Sequence, residues 1–206
     1  MRRLTGWLLV LCGVAVLAGA GWRYAGGLLA RDRARAAWER IEARQRLLAA
    51  NERVEDVATG PFAPGTPVAR LLIPSIGLDE VIVEGVGGRE LDSGPGHLPG
   101  TPLPGLAGNS VISAHRDMHF RRFGELAPGD TVTTITGAGR VTWRIVGRRI
   151  VGADEPALFQ TPGRELTLTT CWPIRLIGPA PDRLLLSAIP LDSVVAPEPT
   201  VAAVSD

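Results

Sequence analysis

Hydrophobic and polar residues follow a helical spacing before residue 60 and a strand-like spacing after it. Residues 31–53 lack Gly and Pro, are rich in good helix formers, and place Ala34, Trp38 and Ile41 three or four positions apart. This pattern predicts a helix. The linker from Gly60 to Pro67 is rich in Pro and Gly, which cannot continue a helix, so the helix ends before it.

Beyond the linker, β-branched and apolar runs alternate with clusters of Gly, Pro, Asp and Asn, which is typical of short strands joined by turns. The predicted strands are Val68–Ile73, Val81–Val86, Ser110–Ala114, Thr131–Thr136, Val141–Val151, Leu166–Cys171 and Leu184–Leu191. Gly137-Ala138-Gly139 indicates a hairpin turn, whereas Phe120–Leu126 and Glu155–Phe159 indicate short helical turns. The pattern predicts an all-β fold, either a barrel or a sandwich.

The N-terminal run from Leu4 to Trp22 carries no charged residue and is long enough to span a bilayer as a helix. We interpret it as a transmembrane helix. A cleaved signal peptide is the alternative, with Arg2-Arg3 as its basic region and Ala18-Gly19-Ala20 as its cleavage site, but the apolar run is longer than a usual signal core. Several Arg residues follow the apolar run closely. Because basic residues next to a membrane span tend to lie in the cytoplasm, this charge distribution alone would place the rest of the chain, C-terminal to the run, in the cytoplasm.

Composition and net charge argue against some classes of function. Hydrophobic residues make up 45% of the 206-residue chain and charged residues 21%, as in ordinary globular proteins. The 22 basic residues against 21 acidic ones leave a net charge of +1, far from the basic excess of a nucleic-acid-binding protein. We therefore predict no nucleic-acid partner.

Cys171 is the main candidate for chemistry. The chain has two cysteines, and Cys12 lies inside the apolar N-terminal run, so a disulfide between them is geometrically implausible. A cysteine nucleophile works as its thiolate and needs a neighbouring imidazole or guanidinium.

His115 and Arg183 are candidate neighbours of that thiol. His115 ends the apolar run that begins at Asn109, where side chains of several strands can converge, but spacing alone leaves open whether it is an acid–base group or an ordinary histidine. His97 lies in a Gly/Pro turn and His119 in a more polar stretch. Arg183 opens the last apolar run and can cross a hairpin to the thiol, although an exposed Arg ending a loop is the commoner case.

Taken together, these segments resemble the sortase family. Thr167–Cys171 matches the family's TLxTC signature, Ser113–Asp117 resembles its histidine segment, and Pro181–Leu184 resembles its arginine segment, in the family's order. Gly94–Thr101, and Gly108-Asn109 before the histidine strand, are similar to the class D and class E branches. The resemblance covers about Pro67 to Leu191. Trp172 follows the cysteine where other side chains are common in the family.

The resemblance implies an eight-stranded β-barrel and an extracytoplasmic cysteine transpeptidase with a membrane anchor. Cys171 would be the nucleophile, His115 the acid and base, and Arg183 the oxyanion or substrate clamp, while Thr170 would help shape the substrate groove. The partners would be a secreted protein with an LPxTG-like sorting signal, an amine from a peptidoglycan precursor or another protein, and the lipid bilayer. An enzyme acting on exported proteins must lie outside the cell. We therefore expect an extracytoplasmic catalytic domain, although the charges beside the apolar run favour the cytoplasm.

The implied segments are a membrane anchor over residues 1–23, a helical stalk and linker over 24–66, a catalytic barrel over 67–192 and a disordered tail over 193–206. We predict no cofactor. A metal site is disfavoured because His115 and His119, although four apart, follow a strand and have Arg116 where zinc proteases carry Glu.

Two alternatives remain. A cysteine enzyme of the L,D-transpeptidase or papain type would carry a different pattern around its cysteine. A membrane-tethered β-sandwich, serving as a binding or pilus-type module, would carry an incidental thiol.

Overall fold

The computed structural model describes residues 2–50, 61–153, 162–176 and 178–191. Two helices and eight strands account for most of them. In chain order these are α1 (Arg2–Ala50), β1 (Pro67–Ile73), β2 (Leu78–Glu84), α2 (Gly88–Ser93), β3 (Gly96–His97), β4 (Gly108–Ser113), β5 (Thr131–Thr136), β6 (Gly139–Gly152), β7 (Arg164–Trp172) and β8 (Asp182–Pro190). Short 3₁₀ turns lie at Pro74–Ile76 and Phe123–Glu125.

The eight strands close into a barrel in the order β1-β2-β3-β4-β7-β8-β6-β5. Most neighbours are antiparallel, but β2 with β3 and β4 with β7 run parallel. The eight-stranded barrel is thereby confirmed, and the sandwich alternative is wrong. Seven strands were predicted near their observed bounds, whereas the two-residue β3 is too short to leave a pattern in the sequence.

The predicted turns are partly confirmed. β5 and β6 form a hairpin in which Thr136 pairs with Gly139, so the turn at Gly137-Ala138 is as expected. The 3₁₀ turn at Phe123–Glu125 falls inside the predicted Phe120–Leu126 segment. The helical turn predicted at Glu155–Phe159 and the predicted tail over 193–206 lie outside the described residues.

The barrel interior is filled by inward-facing apolar side chains from every long strand. The largest of them is Trp143, whose side chain is fully buried while its indole N–H donates to Thr134 Oγ1 at 2.8 Å. Phe120 and Phe123 stack with their ring centroids 4.2 Å apart and close the barrel near the segment that follows β4. Because alternate residues of a strand point to opposite faces, this core leaves the other residues of β7 and β8 on the outside.

Helix α1 runs without interruption from Arg2 to Ala50, so the helix predicted over 31–53 is present as far as residue 50. It also includes the run from Leu4 to Trp22, for which a transmembrane helix was expected. Across the described residues we find no helix that combines the length and the apolar character needed to cross a membrane.

The middle of α1 packs on the outside of the barrel. Ala34 and Trp38 are buried against Val81 and Val83 of β2. Next to this apolar contact, Glu80 of β2 receives charged contacts from Arg31 and, at 3.3 Å, from Arg35. Residues of the predicted stalk are therefore part of the folded unit.

Glu80 stays charged despite its burial. Burial alone would raise the pKa of its carboxyl group, but the neighbouring His119 and Arg31 side chains outweigh this cost and hold the pKa below its usual range. The distance between His119 Nδ1 and Glu80 Oε1 is 3.6 Å. His119 thus belongs to the contact between α1 and the barrel.

Candidate active site

The pairing of β7 with β8 places Cys171 directly opposite Arg183. Leu168 of β7 and Leu186 of β8 face the core. Each lies three positions away along its strand, so the alternation of side chains places Cys171 and Arg183 together on the outer face. Both residues are half-buried. The structure therefore brings the predicted nucleophile and the predicted clamp together.

His115 is brought to the same place by the parallel pairing of β4 with β7. In this register Ser113 lies beside Thr169, and the alignment continues past the end of β4, because the N–H of Ala114 donates to the carbonyl oxygen of Thr169 at 3.2 Å. Continued by two residues along both chains from Ser113 and Thr169, this register would bring His115 level with Cys171. All three predicted catalytic residues thus lie at or just beyond the ends of neighbouring strands at one edge of the barrel.

Thr170 joins the two segments that carry His115 and Cys171. Its side chain is buried, and its hydroxyl donates to the carbonyl oxygen of Ala114 at 2.7 Å. A buried hydroxyl with a backbone partner fixes the spacing of the two strand ends. The part predicted for Thr170 in the substrate groove stays a prediction.

Two arginines hold the loop that follows Cys171. Arg116 donates from Nη1 to the carbonyl oxygen of Pro173 at 3.1 Å and from Nη2 to that of Gly178. Arg148 of β6 lies over the ring of Trp172, 5.3 Å from its centroid. Trp172, which stands where other side chains are common in the family, therefore packs between the barrel and the Arg148 guanidinium.

Arg183 donates from Nη1 to the carbonyl oxygen of Asp182, its neighbour in the chain, at 3.1 Å. A guanidinium has five N–H donors, so this bond leaves others for a substrate carbonyl or an oxyanion. The position agrees with the role expected for a clamp.

Asp92 is a functional candidate that sequence reasoning missed. Its Oδ1 lies 3.5 Å from His115 Nε2, and both side chains are about one third exposed. Asp92 belongs to the short helix α2, inside a segment that carried no strand or helix pattern. No local signal in the sequence connects it with His115.

The other two histidines have structural partners. His97 is buried, with Nδ1 2.7 Å from Glu84 Oε2 and Nε2 3.2 Å from the carbonyl oxygen of Pro102. His119 pairs with Glu80, as described above. Within the described ranges, no three His, Cys, Asp or Glu side chains form a group suited to a metal ion.

Comparison with known proteins gives one family. The sortase domain model matches residues 71–190, more than half of the chain. Sortase D of Bacillus subtilis is 39% identical over 129 residues, covering 61% of this chain and 65% of its own length. Sortase SrtE1 of Streptomyces coelicolor is 32% identical over 136 residues, covering 55% of this chain and 38% of its own length. The chain thus spans less than two thirds of each of these relatives.

Among solved structures, a sortase D5 transpeptidase of Clostridium perfringens superposes with a TM-score of 0.63. The superposition covers 79% of this chain and 98% of that one at 22% identity, which speaks for the fold alone. Together, the domain match, the identity to the Bacillus relative and the shared barrel agree with the class D/E resemblance. This chain belongs to the sortase family.

Proposed function

We propose that this protein is a cysteine transpeptidase that cleaves an LPxTG-like sorting signal and transfers the protein carrying it to an amine. The observation that supports the proposal is the strand register: Cys171 pairs with Arg183 across β7 and β8, and the pairing of β4 with β7, which reaches Ser113 and Thr169, leads His115 towards Cys171. A nucleophile, an acid–base group and a fixed cation are what acyl transfer requires.

In the first half-reaction, the Cys171 thiolate attacks the carbonyl carbon of the Thr residue in the sorting signal. The carbonyl oxygen takes up negative charge, which the Arg183 guanidinium stabilises. When the tetrahedral intermediate collapses, the C–N bond breaks and His115 gives its proton to the departing amine. The products are a thioester on Sγ and a free peptide amine.

In the second half-reaction, the acceptor amine attacks the thioester carbonyl. His115 accepts the proton that the amine loses, a new amide bond forms, and Cys171 leaves as its thiolate. The enzyme returns to its starting protonation state. The acceptor is the amine of a peptidoglycan precursor or of another protein, and the chemistry is the same for both.

We also propose attachment to the cell membrane with the catalytic domain outside. The support is the uncharged run from Leu4 to Trp22 and the need to meet exported substrates. Fractionation of cells that produce the full chain tests this, with extraction by detergent but not by high salt as the expected result. Recovery in the soluble cytoplasmic fraction would contradict it.

Incubation with an LPxTG-type peptide tests the transpeptidase proposal. We expect the full chain to gain the mass of the peptide up to its Thr, and hydroxylamine to release this mass because it cleaves thioesters. A peptide of the same composition in scrambled order is the matched control and should give no adduct. If no LPxTG-related peptide gives an adduct while Cys171 reacts no faster than a free thiol with iodoacetamide, the chain is a binding module with an incidental cysteine.

A further inference from the structure

His115 has a charged neighbour on the side of α2. Asp92 Oδ1 lies 3.5 Å from Nε2 of its ring. At the same edge of the barrel, β7 and β8 carry the Cys171 thiol and the Arg183 guanidinium, and the segment of His115 itself carries Arg116 and Asp117. Among the described contacts of His115, the carboxylate of Asp92 is the one placed to accept an N–H from the ring.

A neutral imidazole carries its single proton on either nitrogen, and the partner of one nitrogen decides which form prevails. A carboxylate beside Nε2 accepts its N–H and keeps the proton on Nε2. The second nitrogen, Nδ1, then exchanges protons with the reacting groups.

Helix α1 lies close to the backbone of Asp92. Gly27 of α1 is buried, and a Cβ atom at Gly27 would lie 3.1 Å from the carbonyl oxygen of Asp92. The glycine thus allows a close approach of α1 to the end of α2. Gly26 is exposed and has nothing within 4 Å of its Cβ position.

A polar cavity of about 460 Å³ continues from this contact between α1 and the barrel. Asp92 and Asp117 line it together with Arg31 and Arg35 of α1. Asp92 therefore lies in the lining of a cavity that is formed by α1, α2 and the segment that carries His115. The position of α1 thus influences where the Asp92 carboxylate lies relative to the His115 ring.

We propose that Asp92 is a positioning residue for His115, and that α1 holds it there through the close contact at Gly27. In this arrangement Nε2–H stays bonded to Asp92 throughout the reaction. The proton that goes to the leaving amine, and later comes from the acceptor amine, sits on Nδ1. This inference rests on the proposed transpeptidase function.

The variant Asp92→Asn tests the role of the carboxylate. We expect kcat with the sorting peptide to fall about tenfold, a part of what general acid–base catalysis contributes, with little change in KM. Asp92→Glu should recover part of the loss. An unchanged kcat in Asp92→Asn would overturn the proposal.

Nitrogen NMR of the His115 ring gives a readout that does not depend on activity. In the wild-type protein above the titration of the ring, we expect the ¹⁵N shifts of a neutral imidazole protonated at Nε2, and in Asp92→Asn a mixture of both forms. A mixture in the wild type would refute the positioning role. Failure of the wild type to cleave any sorting peptide would instead count against the proposed function, and the NMR result would still decide the role of Asp92.

A pair of glycine variants tests the part assigned to α1. Gly27→Val should give the same mixture of ring forms in the ¹⁵N spectrum as Asp92→Asn, since the added side chain meets the Asp92 backbone. Gly26→Val places the same residue one position away in the same helix, at an open site, and should keep the wild-type spectrum. Equal spectra for the two valine variants would show that α1 has no influence on Asp92.

Discussion

Cys171→Ala is expected to lose at least about 10⁴-fold in kcat/KM for cleavage of a sorting peptide, because removal of a covalent nucleophile leaves only binding and electrostatic effects. The thioester adduct should disappear completely. The measurement is the initial rate of peptide cleavage, followed by chromatography of the products. The thermal unfolding curve of the variant should stay close to that of the wild type, since Cys171 is only half-buried.

Cys12→Ala is the matched control, because Cys12 is the second cysteine and is exposed on α1. It should cleave the peptide at the wild-type rate. Undiminished cleavage by Cys171→Ala would refute the assignment of the nucleophile. Equal losses in both cysteine variants would point to a requirement for α1 in place of a nucleophilic role for Cys171.

Glu84→Ala is expected to cost about 1–3 kcal/mol in the free energy of unfolding, since it leaves the buried Nδ1 of His97 without its hydrogen-bond partner. The hydrogen bonds of His97 show the reason. The hydroxyl of Thr101 donates to the carbonyl oxygen of Leu98, so Nε2 of His97 must be the donor to both Thr101 and the carbonyl of Pro102. Nδ1 is then left to share a proton with Glu84 Oε2 at 2.7 Å.

Urea-induced unfolding of the full chain at neutral pH measures this cost, with Glu84→Gln as the informative second variant. A glutamine amide can donate to Nδ1 while Nε2 keeps its proton, so Glu84→Gln should lose less than Glu84→Ala. Glu125→Ala is the control, because it removes the same side chain from the exposed pair with Arg122 and should be close to neutral. A loss in Glu84→Ala no larger than in Glu125→Ala would contradict the role of the buried pair.

Most strands could be predicted from the sequence because their residues are of types that favour strands. Thr131–Thr136 was predicted with its observed bounds, since β-branched residues fill it and turn residues flank it. β6 extends beyond its predicted run by Gly139 and Arg140, which pair with β5, and by Gly152, which pairs with β8, because pairing across strands includes residues that carry no strand pattern. β3 was missed because two residues, including a glycine, show no periodicity.

Some candidate site residues could likewise be identified from the sequence, and one could not. Cys171, His115 and Arg183 were identifiable as candidates because the first two end apolar runs, Arg183 opens one, and together they resemble a known signature. Asp92 was not identifiable, since its contact with His115 crosses between two elements and depends on where α1 and α2 pack. Contacts of this kind depend on tertiary packing, which no local pattern encodes.

Local sequence was therefore sufficient to predict the strands and to select a candidate thiol with its candidate partners, because side-chain type and spacing reflect local energetics. The closed barrel, the alignment of Cys171 with both partners and the pairing of Asp92 with His115 depended on the three-dimensional arrangement. Each of these requires two segments distant in sequence to meet in one register, and a register is settled by the burial of the whole sheet.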